Sequence, residues 1–94
     1  MTASKVYFSD MRTGPESANL PQKLHNLMKA AGFEGISFDG KFTAVKMNFG
    51  EPGNLAFLRP NWAKVVCDYV KQLGGLPYLT DSNTLYVGGR RNGL

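Results

Sequence analysis

Phe42-Thr43-Ala44-Val45-Lys46-Met47-Asn48-Phe49, broken by Gly50-Glu51-Pro52-Gly53-Asn54, is the stretch whose reading decides the fold. Val45, Met47 and Phe49 share one side of an extended chain, and Ala44, Lys46 and Asn48 share the other. That period of two predicts a strand over residues 42–49. The next repeat is different. From residue 60 or 61 to 73, Trp62, Val65, Val66, Tyr69, Val70 and Leu73 fall on one helical face, and Gly74-Gly75 supplies the stop. Residues 76–80 then predict a short strand. A strand, a helix and a strand in that order imply a parallel pair, because parallel strands need a long crossover between them.

Working outward, Leu20, Leu24, Leu27, Met28 and Ala31 predict an earlier helix over residues 20–31. Asn19 or Ser17 is its candidate cap, Pro21 fits its first turn, and Gly32 ends it. Before it, Val6-Tyr7-Phe8 is aromatic and β-branched, which predicts a first strand within residues 5–11. Leu85-Tyr86-Val87 is a possible further strand start. The expectation is therefore an α/β fold in β-α-β-α-β order, a small three-layer fragment with a mainly parallel sheet. Residues 1–94 form a single domain on length. A three-stranded sheet leaves open edges, which are usually covered. We therefore expect the N-terminal fragment of a longer chain, whose remainder is its first partner.

Composition excludes several classes. Seven Lys and four Arg face seven acids, for a formal net charge of +4. The excess is spread along the chain, which disfavours nucleic acid as a partner. One cysteine, Cys67, allows no internal disulfide, and it cannot by itself hold an iron-sulfur cluster, which takes four thiolates. The first residues lack the apolar run of a signal peptide, and no stretch approaches the ~20 apolar residues that span a bilayer. No membrane partner and a cytoplasmic location are the expectations.

In open parallel sheets, ligands bind outside the carboxyl ends of the strands. That rule selects Asp10 and Arg12, then Asn48, Gly50, Glu51 and Asn54, then Asp81, Ser82, Asn83 and Thr84. Gly50 and Gly53 permit positive φ and close approach of backbone amides to an anion. Lys46 is a charge inside an apolar strand, two residues from its end, placed to pair with Glu51 or Asp81 or to meet a ligand. Its alternative is an outward lysine on an uncovered face. Arg59 precedes Pro60 at the second helix and can take a carboxylate or phosphate in a bidentate pair, or lie solvated. His25 lacks ligand-spaced neighbours and Cys67 lacks a base, so neither is a catalytic candidate. No metal ligand set is assigned; a hard-cation site on Glu51 and Asp81 is conceivable and nothing more.

Two longer runs carry a resemblance. Val45 to Pro60, with Lys46-Met47-Asn48-Phe49-Gly50-Glu51-Pro52-Gly53-Asn54 at its centre, is similar to the hallmark of a large uncharacterised iron-sulfur-centre protein family, the domain of unknown function number 362. Gly74-Gly75-Leu76-Pro77-Tyr78-Leu79-Thr80-Asp81-Ser82-Asn83-Thr84-Leu85-Tyr86-Val87-Gly88 resembles its second hallmark, and Lys5 to Arg12 is similar to its start. The resemblance implies that this chain matches the N-terminal part of longer proteins, many with cluster-binding cysteines downstream. No cofactor belongs to this chain, and an iron-sulfur cluster is expected in the full-length protein, beyond Leu94. The family's recurrent positions fall on Lys46, Gly50, Glu51, Gly53, Asn54, Arg59, Asp81, Asn83 and Tyr86. The family commonly carries histidine where this sequence has Asn48, which cannot act as a general acid or base.

Together these readings give an expected site of Lys46, Asn48, Gly50, Glu51, Gly53, Asn54, Arg59, Asp81 and Asn83, holding a small anionic or polar ligand in a redox-linked protein of unknown reaction. The rival expectation is a structural or docking module with no ligand of its own.

Overall fold

The computed structural model describes residues 3–90. Two helices and two strands alternate: α1 (Leu20–Ala30), β1 (Phe42–Lys46), α2 (Pro60–Gln72) and β2 (Leu76–Thr80), with a 3-10 turn at Phe33–Gly35. The class is α/β with a parallel sheet, as the periodicities predict. β1 and β2 pair in parallel, with Phe42 opposite Leu76 and Lys46 opposite Thr80.

The local chemistry explains the boundaries. The Asn19 side chain accepts the Gln22 amide hydrogen at 2.9 Å, which satisfies a first-turn donor of α1. Pro60 opens α2, where its missing N–H costs nothing. β1 ends at Lys46, three residues before the alternation runs out. The Met47 amide still reaches the Thr80 carbonyl at 2.9 Å. Beyond it, the Asn48 side chain accepts the Gly50 amide hydrogen at 2.7 Å, and this local turn replaces the ladder.

The core is small. Tyr69 and Val70 of α2 are 1% exposed, and Ala63 and Met47 are also buried. Tyr69 fills the space between α1 and α2, stacking on His25 with ring centres 4.0 Å apart and meeting Phe33 at 4.9 Å. Its hydroxyl donates to Glu34 Oε1 at 2.8 Å. Burial, aided by that carboxylate, pushes the phenol up to about 12. At Gly75, a Cβ would come within 2.5 Å of Val70, so β2 can enter this close to α2 only without a side chain.

Three expectations are corrected. Residues 5–11 form no strand, and Val6 and Phe8 lie in solvent. A strand is a paired state, and residue type predicts the extended conformation without naming a partner. This segment is tied to α1 instead: Asp10 pairs with Lys23, whose ammonium also donates to the Arg12 carbonyl at 2.8 Å. The order among the described residues is therefore helix, strand, helix, strand. The third layer is also missing there. α2 packs on both strands and α1 packs on α2, while Phe42, Ala44 and Lys46 of β1 and Leu76 and Tyr78 of β2 stay exposed. Finally, residues 85–87 make bends, with no ladder partner.

Candidate functional site

Parallel pairing makes both strands end at one rim, because Lys46 lies opposite Thr80 and Asp81 follows at once. The Asp81 side chain is 9% exposed, and its carboxylate accepts from four donors. They are the Ser82 amide at 2.8 Å, the Lys46 ammonium at 3.3 Å, the Phe49 amide at 3.4 Å and the Arg90 guanidinium. The Ser82 amide does most to hold Asp81 below the usual carboxylate range; Lys46, Phe49 and Arg90 act the same way, and burial opposes them.

Arg90 ties the two loops together. It donates to Asn48 Oδ1 at 3.2 Å and to the Ser82 carbonyl at 3.1 Å, while its own carbonyl accepts the Thr84 amide hydrogen at 2.9 Å. A second link lies alongside: the Tyr86 hydroxyl donates to Glu51 Oε1 at 2.9 Å, and that carboxylate raises the phenol's pKa. Gly89 permits the closure, since a Cβ there would stand 2.8 Å from Pro52.

Beside this latch is an open hollow of about 510 Å³, lined by Asn48, Gly50, Asn54, Ala56, Phe57 and Leu58. Gly50 shapes it. Its φ is +85°, and a Cβ would lie 2.6 Å from the Phe57 ring. The Asn54 amide closes the turn below on the Glu51 carbonyl at 2.8 Å, and the Asn54 side chain accepts the Ala56 amide hydrogen at 2.8 Å.

The structure thus brings together Lys46, Asn48 and Asp81, sets Gly50 and Asn54 in the adjoining hollow, and places Glu51 on its Tyr86 link. Gly53 serves the turn, with φ +84° and open space where a side chain would go. Arg59 is elsewhere, at the start of α2, lining a separate cleft with Leu20, Pro21, Asn61 and Trp62. Asn83 is exposed and makes no hydrogen bond among the described residues. Two residues outside the expected site belong to it structurally. Tyr86 was marked only through the family hallmark. Arg90 had no periodic signal, and the one local hint is the flexible Gly88-Gly89 pair before it.

Two cations, Lys46 and Arg90, share the Asp81 carboxylate, and Glu51 brings a second carboxylate beside them, so the formal charges of the rim cancel; the Lys46 side chain is 66% exposed. Both Asp81 oxygens are engaged, so the conceived cation site on Glu51 and Asp81 would have to break the latch. No group of three metal-ligating side chains occurs among the described residues. Cys67 is half-buried in α2, and the described residues do not fit an iron-sulfur cluster, which takes four thiolates. No helix is long and apolar enough to cross a membrane among the described residues. No family model, curated protein or solved structure matches the chain.

Proposed function

We propose that this chain is the ligand-binding α/β part of a redox-linked protein of the iron-sulfur family its hallmark runs resemble. It holds a small anionic or polar ligand at the carboxyl ends of β1 and β2. Lys46 and Arg90 supply charge, Asn48 supplies its amide hydrogens, and Gly50 and Asn54 shape the hollow. The observation that carries this reading is the exposed Lys46 at the strand ends, with Asn48, bonded to Arg90, joining that rim to a hollow of about 510 Å³. Asn48 has no titratable group, so its own part there is to bind and orient.

Thermal melts in phosphate, sulfate, small carboxylates and nucleotides test it. At least one ligand is expected to raise the melting temperature, and Lys46→Ala and Asn48→Ala are expected to abolish that rise while far-UV circular dichroism stays native. No rise with any of them overturns the ligand reading. Iron and sulfide assays of the natural gene product, purified without oxygen, test the redox link; an iron-free product removes it.

A docking role is favoured by a different observation. The chain exposes 7526 Å². A compact monomer of 10.3 kDa exposes about 5,400 Å². The difference, about 2,100 Å² on one chain, is well above the roughly 800 Å² per partner of a standard interface and falls in the range of large obligate ones.

A further inference from the structure

An apolar cleft of about 200 Å³ opens between α1, α2 and β1, lined by Leu24, Val45, Met47, Leu58, Trp62 and Val66. It is distinct from the rim hollow, although Leu58 borders both. Trp62 also lines a second cleft, of about 180 Å³, together with Arg59. Trp62 thus borders both spaces, one apolar and the other holding Arg59.

The charges there are unequal in their availability. Lys46 also borders the apolar cleft, and its ammonium, though largely exposed, already has Asp81 at 3.3 Å. Arg59 is exposed and makes no ion pair among the described residues. Its guanidinium offers two parallel N–H groups, the match for a carboxylate. The apolar cleft has room for one ring, since a cavity of about 150 Å³ accepts benzene. An indole wall favours a flat aromatic group over an aliphatic one of equal size.

We propose that this cleft binds a small aromatic carboxylate, with its ring against Trp62 between α1 and α2 and its carboxylate on Arg59. The site does not rest on the rim reading, and it gives a function to Arg59, one of the expected site residues that the rim leaves out.

Trp62 is the single tryptophan of the chain, so its fluorescence reports the site directly. The purified chain is titrated with benzoate, benzyl alcohol and acetate. Benzoate is expected to saturate in the millimolar range usual for so small a ligand, at least about tenfold tighter than either partial mimic. Arg59→Gln is expected to weaken benzoate about tenfold and leave benzyl alcohol unchanged. Val66→Phe, which fills the apolar cleft, is expected to abolish both. Benzoate binding no tighter than acetate, or unaltered by Arg59→Gln, overturns the proposal. Arg59 is exposed, so its variant remains informative even if Val66→Phe does not fold.

Discussion

At the scale of the residue, Asp81 does the most in this molecule. Its carboxylate joins the end of β1, through Lys46 and the Phe49 amide, to the loop after β2, through Ser82 and Arg90. Its folded pKa is lowered from 3.8, so its contribution to stability is fully present above that value and is lost as pH falls through the lowered one. Urea unfolding followed from neutral to acid pH is expected to show that loss in the native chain. Asp81→Asn is expected to lower the melting temperature at neutral pH and to flatten the acid part of the profile. A variant with the parent's acid profile would show that Asp81 does not hold the rim. The Lys46–Asp81 pair was legible in the sequence, because parallel strands that finish together bring their last residues together. Arg90 was not: it sits at the far end of an irregular loop, and periodicity says nothing about where such a loop goes.

At the scale of the element, local signals and the parallel β1–β2 pairing succeeded, and the strand expected within residues 5–11 failed. α2 and β2 carry their own boundaries, in Pro60, the apolar face of the helix and the Gly74-Gly75 stop. α1 carries its Asn19 cap. Residues 5–11 have strand composition, yet their geometry depends on a partner from outside the segment, and the Asp10–Lys23 pair holds them beside α1. Amide hydrogen exchange distinguishes the two situations. The amides of Val6, Tyr7 and Phe8 are expected to exchange at nearly the rate of an open chain, while Val70 of α2 and the sheet amide of Met47 are protected. Protection of residues 6–8 comparable to that of Met47 would mean that the segment is paired in solution.

At the scale of the whole molecule, what stands out is surface without cover. Phe42, Leu55, Leu85 and Val87 are each more than four-fifths exposed, and the outer face of the sheet carries Tyr78 and Leu76 as well. The radius of gyration is 16.2 Å. A compact chain of this length has about 12 Å. The β-α-β-α-β order predicts a three-layer fragment; it cannot say which chain supplies the cover of the outer face. The native chain alone is expected to bind a hydrophobic dye and to scatter X-rays with a radius near the larger value, or to elute as an assembly. A compact, dye-silent monomer would show that these side chains fold inward in solution.

The parallel register of β1 and β2 has a kinetic consequence. No tight turn can bring Phe42 to Leu76, because the whole of α2 lies between them. The ladder therefore forms only after a long loop has closed, and loop closure is an entropic cost met before any strand contact repays it. α2 is the local structure that shortens that search, by drawing its two ends into a fixed geometry before the strands meet. The speed at which the sheet appears is then set less by the strands than by the nascent helicity of the segment between them, and the Gly74-Gly75 break decides how abruptly that helix hands the chain to β2.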